Sequence, residues 1–553
     1  MDAFFRSIPV LLIFPTLAAL AWIRGGVSGD MLVPTVPWLL ALVFETLICF
    51  PQRHSGEDAV QARQRCWRGV GRDPVFFLAL LFLVVVLGIP FLNKGLCPTC
   101  DYGLILNSLT PSELDQMPEI LLDKAPNPPI PYAPFCMNIA QHFDVLMWFL
   151  PALTAMLAAR HALLRRGKRL LVEMLVWNAA ALAVFGFIER ATGAKFVMMW
   201  DQAEFDAYVA AVSASIGRPG SKPDPAFFAT FGYPNMAGCY FMLAFALSIG
   251  VWMTHMREVE SEMRHGGGSH KTETSRQRNL VRFIRAHYAL VAVFINFLGV
   301  MFTFCRAAIS MTLGIAVLAF VYHICRMLFA HRDRVRQMKR AAYNVGGAVL
   351  LVVIGMVFSP DGNSSAAARG IAAVADELGT ITTDGMLDRV TGKSELHSRV
   401  AVEIFKDYPL FGCGGWGYRH LSLNKLGHDE VKRLSGMGAA NVHNDHLQFL
   451  CEHGVVGFGC LAGIFLCLVT SLFVDWGRLL RAVRFLAPQN APPSPRAIYC
   501  CPPGVFWTLV GCFAVVFHAC ADAPMRSGAM LGLFFTALAC ADGYMPENLE
   551  KRR

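Results

Sequence analysis

Runs of apolar side chains close to the length of a bilayer's hydrocarbon core recur from one end of this chain to the other. A helix needs roughly 20 residues to cross a core of roughly 30 Å. Runs near that length centre on 8–23, 36–50, 75–92, 145–159, 170–188, 236–253, 288–304, 307–328, 345–358, 455–473, 504–519 and 528–539. Backbone polar groups inside a bilayer must be satisfied within their own segment, so such runs fold as helices. The expectation is an all-α polytopic membrane protein with about twelve transmembrane helices. With 55% hydrophobic and only 16% charged residues in 553, the chain does not read as a string of soluble domains. The second run carries Glu45 and the last two are short. The first has no small-residue cleavage site before Arg24 and reads as an anchor rather than a removed signal peptide.

Orientation follows from where Lys and Arg fall, because short loops rich in them stay cytoplasmic. Arg53, Arg63, Arg65, Arg68 and Arg72 follow the second run, and Arg160, Arg165, Arg166, Lys168 and Arg169 follow the fourth. Further basic clusters occupy 257–285 after the sixth and 326–340 after the eighth. All are even-numbered exits, which places both termini in the cytoplasm. The net charge of +9 is this topology signal, dispersed among loops, and no nucleic-acid partner is expected. Three longer segments, 93–142, 190–234 and 359–442, then lie outside the cytoplasm, the last between the ninth and tenth spans. Cys97, Cys100 and Cys136 fall on that oxidising side, where a disulfide can form; one C-x-x-C without further ligands does not make a zinc site. His265-Gly-Gly-Gly-Ser-His-Lys reads as a flexible cytoplasmic linker.

The chemistry-bearing residues gather at the predicted outer ends of the spans. Asn441-Val-His443-Asn444-Asp-His446 precedes the tenth run and continues into Glu452-x-Gly454-x-x-Gly457, setting a titratable imidazole at a membrane surface. Phe231-Gly-Tyr-Pro-Asn235-Met-Ala-Gly opens the sixth run, and Phe304-Cys-Arg306-Ala-Ala opens the eighth. In the long loop stand Ser398-Arg399, Phe405-Lys-Asp-Tyr-Pro409-Leu-Phe-Gly412-Cys-Gly414, and Trp416-Gly-Tyr418; Asp522-Ala-Pro-Met-Arg526 precedes the last run. In order and spacing this set resembles the signature of the O-antigen ligase and O-antigen polymerase superfamily, over roughly 226–553. Cys305 stands where that family usually has Ser, Ala307 where it has Gly, and His446 where an aromatic or aliphatic residue is common. The resemblance divides the chain into N-terminal helices, 1–225, with the loop 93–142, and an O-antigen ligase-like membrane domain, 226–553, with the loop 359–442.

Each residue has a plain structural reading beside the functional one. Arg306, at the mouth of an apolar helix, either snorkels or binds the diphosphate of a lipid carrier, for which guanidinium is suited. Arg399 lies in a helix expected from near Ser394 to just before Pro409, with Leu396, Val400 and Ile404 on one face; it either pairs with Glu403 at i+4 or serves the donor. The Gly412-x-Gly414-Gly415-x-Gly417 turn lacks the strand and Lys-bearing helix of a nucleotide loop and reads as a structural turn. It lets Trp416 and Tyr418 reach the interface or stack on a sugar. His443 is a satisfied polar residue or a general base, since an imidazole with an unperturbed pKa of roughly 6.5 accepts protons near neutral pH; Asn444 would orient the ring or the acceptor. Adjacent helical positions point in different directions, so His443, Asp445 and His446 do not make a metal site.

What the resemblance implies is an inner-membrane glycosyltransferase that moves a glycan from a polyprenyl diphosphate to an acceptor hydroxyl outside the cytoplasm. It implies direct displacement with inversion, His443 as base, and Arg306 and Arg399 on the diphosphate. Asn235, Asn444, Trp416 and Tyr418 would contact substrate, and neither metal nor cofactor would be required. The acceptor would be lipid A core, another glycan or a protein side chain, and membrane lipids would surround the chain. The rival class is a transporter of the same lipid-linked material, for which Glu45, Glu173 and His323 within spans would be the groups to watch. A topology of this kind predicts that cysteines placed at Lys94 and Lys432 react with a membrane-impermeant thiol reagent in intact cells, and that one at Ser269 does not. Labelling of Ser269→Cys from outside would reverse the orientation.

Overall fold

A computed structural model of the chain describes residues 2–26, 35–54, 56–94, 130, 132–192, 229–231, 233–265, 275–303, 305–330, 385–426, 430, 441–486 and 501–545. Among these residues every regular element is helical, and the only β-type contact is an isolated bridge between Lys94 and Cys136. In chain order the helices are α1 (Asp2–Trp22), α2 (Val36–Ile48), α3 (Ala59–Val70) and α4 (Pro74–Leu81, continued by a π turn Phe82–Gly88), then α5 (Ile139–Ala162), α6 (Arg165–Thr192), α7 (Pro234–His265), α8 (Ser275–Phe302) and α9 (Arg306–Ala330). The long loop contributes α10 (Gly385–Asp407) and α11 (Gly417–Leu421), and α12 (Asp445–Leu486), α13 (Pro503–His518) and α14 (Gly528–Cys540) complete the chain.

The fold is that of an all-helical polytopic membrane protein. Among the described residues, seven stretches are long and apolar enough to cross a membrane: Pro74–Phe91, Ile139–Ala162, Arg165–Glu189, Pro234–Glu262, Leu280–Phe302, Arg306–Ile324 and Asp445–Gly477. Four shorter apolar helices accompany them, Ser7–Trp22, Val36–Ile48, Pro503–His518 and Gly528–Tyr544. Each falls on an apolar run of the sequence; the run 345–358 lies outside the described residues, as do Cys97 and Cys100. The shortness of α2, 13 residues, follows from Pro51 just beyond it, and that of α13, 16 residues, from Pro502 and Pro503 at its start. Helix α10 begins at Gly385 rather than near Ser394; no proline interrupts 385–408, and the chain runs helically through Gly392.

Packing separates axis from periphery. The span in α7 is 94% buried inside the protein, whereas that in α9 is 22% buried. Helix α7 packs on α6, α8, α9, α13 and α14, and every residue of α14 is buried. Val317, Leu318, Phe320 and Val321 on α9 are exposed, an apolar surface that suits lipid.

Three of the basic clusters meet at one end of the bundle. Arg160 and His161, closing α5, reach Asp73, which caps α4 by accepting from the Val75 N–H at 3.1 Å. Burial opposes ionisation of Asp73, but the hydrogen bonds from His161 and Arg160 outweigh it and hold the carboxyl well below the usual range. Lys168 pairs with Asp542 at 2.8 Å and Arg169 with Glu258 at 2.7 Å. Two cavities of about 540 and 550 Å³ open there, one lined by Arg65, Arg160, Arg165 and Lys168, the other by Arg166, Arg169 and Arg285. Because neighbouring helices alternate in direction, the starts of α5, α7, α9, α12 and α14 lie at the opposite end.

At that opposite end the long loop is built into the bundle. Helix α12 is broken at Gly454 (φ 63°), and the segment 409–414 pairs with the exposed backbone. Val455 and Val456 N–H donate to the Pro409 and Leu410 carbonyls at 2.9 and 3.1 Å, while Cys413 and Gly414 N–H donate to the Cys451 and Glu452 carbonyls at 3.1 and 2.8 Å. The Gly415 N–H donates to His142 Nδ1 at 2.9 Å, and His142 Nε2–H donates in turn to the Leu87 carbonyl at 2.9 Å, which ties the turn to α5 and α4. A second apolar cluster, including Val400, Ile404, Tyr418, Val442 and Cys451, closes beneath α10. Only glycine fits where the two backbones cross: a Cβ on Gly412 (φ 71°) would lie 2.3 Å from the Glu452 carbonyl carbon, and one on Gly454 2.3 Å from the Leu410 oxygen. Gly412→Ala or Gly454→Ala is expected to cost about 1–3 kcal/mol or more, read as a lower unfolding midpoint of the detergent-purified protein and faster proteolysis within 409–417. Unchanged midpoints in both variants would show that the crossing is not formed.

Candidate active site

His443 stands where the chain turns into α12. Its φ of 55° is a left-handed conformation that side-chain-bearing residues adopt rarely, and such residues cluster at functional sites. Asn444 follows as the helix cap, its Oδ1 accepting the Leu447 N–H at 3.1 Å. In that turn the imidazole meets Asp522, on the connection between α13 and α14, with Nδ1 3.3 Å from Oδ1. The carboxylate accepts from Nδ1–H in this contact, which directs Nε2 away from Asp522. The His443 side chain is 38% exposed.

Asp522 is itself held. Its Oδ1 also accepts from the Ala523 N–H at 2.8 Å and from the Tyr233 hydroxyl at 3.2 Å, and Asn235 Nδ2 donates to the Tyr233 oxygen at 3.1 Å. Burial, and then the neighbouring Asp522 carboxylate, push the Tyr233 phenol well above its ordinary range, so the hydroxyl keeps its proton and remains a donor. The entry to α7, the α13–α14 turn and the start of α12 are thereby joined through one oxygen. On the other side of His443 lies His397 of α10, with ring centroids 6.0 Å apart.

The two arginines emerge beside this cluster. Arg306 is exposed at the first position of α9; the preceding Cys305 is buried, with Sγ 3.9 Å from Nε2 of His518, whose carbonyl accepts the Asp522 N–H at 3.2 Å. A cation at a helix N-terminus is opposed by the helix dipole, and an anion placed there is favoured by both. Arg399, two residues beyond His397, is exposed and pairs with Glu430 at 2.8 Å, with Glu403 further off at 3.7 Å.

Both aromatic residues expected to stack on a sugar have other occupations. Tyr418 is 1% exposed, and its hydroxyl and His397 Nδ1 share a hydrogen bond at 2.9 Å, because α11 turns it into the cluster beneath α10. The Trp416 ring is covered by the guanidinium groups of Arg526, at 3.9 Å, and Arg419, at 4.4 Å, and meets Trp148 edge-on. Arg526 is fully buried and paired with Glu452 at 3.1 Å, and Gln448 Nε2 donates to Glu452 at 3.0 Å. Asn235 and Asn444 likewise spend a polar atom within the protein, on Tyr233 and on the helix cap. His446 Nε2–H donates to the Val516 carbonyl at 2.9 Å and so faces α13, away from the carboxylate. Sequence reasoning gave Asp522 only as part of a faint motif and gave Tyr233, His397 and Arg526 no role. The signal for Asp522 was an acidic residue before proline in the short polar gap between two apolar runs.

An exposed imidazole backed by a buried carboxylate thus stands at one end of an all-helical membrane bundle, with two exposed arginines at the same end. Residues 291–462 match the family model described as O-antigen ligase, which supports the likeness to the O-antigen ligase superfamily. The matched segment holds Arg306, Arg399, Trp416, Tyr418, His443, Asn444 and Glu452, whereas Tyr233, Asn235, Asp522 and Arg526 join the site from outside it, so it is narrower than the 226–553 expected. No curated protein matches the chain. The family match supports a membrane glycosyltransferase-like role in polysaccharide biosynthesis.

If Asp522 sets the His443 tautomer, Asp522→Asn should lower glycan transfer by about a hundredfold or more while the protein still folds. Tyr233→Phe, which leaves the carboxylate two donors, should be milder, and transfer assays on purified variants separate the two. Equal, small effects would show that the pair is structural.

Proposed function

We propose that this protein transfers a glycan from a polyprenyl diphosphate carrier to an acceptor hydroxyl at the outer face of the inner membrane, with its arginine-rich end and both termini in the cytoplasm. The observation that carries the reading is the His443–Asp522 pair, with Nε2 directed away from its carboxylate at the end of the bundle where Arg306 and Arg399 emerge. The acceptor oxygen attacks the anomeric carbon as its proton passes to His443 Nε2, and the bond from that carbon to the diphosphate oxygen breaks with inversion. The electron pair leaves on the diphosphate, whose charge the two guanidinium groups offset. Asp522 stabilises the imidazolium formed and does not need to take the proton. A leaving group that already carries phosphate, met by two cations, calls for no metal or cofactor.

The acceptor is lipid A core in a ligase, a second repeat unit in a polymerase, or a protein side chain in an oligosaccharyltransferase. Deleting the protein distinguishes them: long lipid-linked chains without acceptor mark a ligase, short units a polymerase. Glu173, one of the three intramembrane groups that would serve a transporter, accepts from the Tyr288 hydroxyl and faces His255 at 3.6 Å.

His443→Ala is expected to lower transfer by about a hundred- to ten-thousand-fold with donor binding retained, and His446→Ala should change it little. Arg306→Lys and Arg399→Lys should each cost about 2 to 4 kcal/mol of transition-state stabilisation, since an ammonium cannot reproduce the fork. Normal turnover by His443→Ala, or zinc-restorable inhibition by a chelator, would overturn the mechanism.

A further inference from the structure

Cys413 and Cys451 face each other across the seam where the loop crosses the break in α12. They lie 38 residues apart in sequence, yet their sulfurs are 4.0 Å apart and both side chains are fully buried. The Cys413 N–H donates to the Cys451 carbonyl at 3.1 Å. That bond and the facing sulfurs bring the two backbones together at this point, as a disulfide requires. The Cys413 sulfur is pressed into the seam: a Cβ built on Gly417 would fall 2.6 Å from it. Cys136, the cysteine that sequence reasoning placed in a possible bridge, instead donates its thiol to the Pro90 carbonyl at 3.4 Å.

We infer that Cys413 and Cys451 become joined by a disulfide that staples the long loop to α12, a modification that rests on the proposed orientation of this end toward the oxidising compartment. Two thiols give up two protons and two electrons. The acceptor is the disulfide of a protein dithiol oxidase of that compartment: one cysteine thiolate attacks it to form a mixed disulfide, the second displaces the carrier, and the oxidase leaves as a dithiol. Burial pushes the Cys413 thiol well above its ordinary range. The thiolate is therefore scarce once the loop is seated, and exchange takes place while the loop is closing, which makes the bond a staple rather than a switch.

Full-length protein in its native membranes is denatured in N-ethylmaleimide without reductant, digested and mapped by mass spectrometry. The peptides bearing Cys413 and Cys451 should appear as one cross-linked species lacking two hydrogens and separate only after reduction. Cys413→Ser should leave Cys451 alkylated without reduction. A parallel Lys432→Cys variant labelled from outside intact cells reports the side on which the loop lies. Both thiols alkylated without reductant while Lys432→Cys is labelled from outside would overturn the staple and leave the orientation standing. Free thiols with labelling only after permeabilisation would overturn both. Pairing of either cysteine with a different partner would also overturn the inference.

Discussion

The exchange of hydrogen bonds at Gly454 is what makes the loop part of the bundle. A helix broken inside a membrane protein leaves carbonyls and N–H groups that water cannot reach, and an unsatisfied group costs about 1–3 kcal/mol. Segment 409–414 supplies donors to Cys451 and Glu452 and acceptors to Val455 and Val456, so the break and the loop solve one problem together. Removing either would leave the other's polar groups stranded. The buried Arg526–Glu452 pair sits just behind the crossing, and Arg526 also covers Trp416, so the turn after Gly414 is fixed from the bundle side as well. A buried pair of this kind adds little by itself but is costly to break.

From this crossing the geometry of the site follows. Helix α12 begins a few turns earlier, and the strained turn at His443 aims the imidazole at the α13–α14 connection, while the seated loop holds His397 and its helix over the ring. Asp522, from the α13–α14 connection, and Tyr233 and Asn235, from the entry to α7, form a relay of hydrogen bonds. His443 commits Nδ1 to this relay through Asp522, and its Nε2 points away from that carboxylate. A site that orients its base through neighbours rather than through substrate is preorganised before substrate arrives.

The helices were legible because length and hydropathy dictate them. Arg306, Arg399 and His443 stood out in the sequence because each lies in a recognisable local motif. Asp522 did not, because its meaning lies in a contact with a residue 79 positions away, and Tyr233 reaches it across 289. The surroundings of Trp416 and Tyr418 were not legible for a related reason. Beside a glycine-rich turn an aromatic residue looks exposed, and only the burial of Tyr418 under α10 and the two arginines over Trp416 reveal otherwise. The loop helix was foreseen from its Leu396, Val400 and Ile404 stripe, but its true start lay upstream, where no breaker marked it.

The peripheral position of α9 bears on how a lipid-borne molecule would meet the protein. Most of this helix faces outward, and its first residue is Arg306. On the proposed reading, a donor drifting in the outer leaflet slides along the apolar flank of α9 with its tail still in hydrocarbon and presents its headgroup to the guanidinium from the side. Capture then becomes an encounter in two dimensions, and the hydrophobic tail never has to be drawn into water for the reaction to begin.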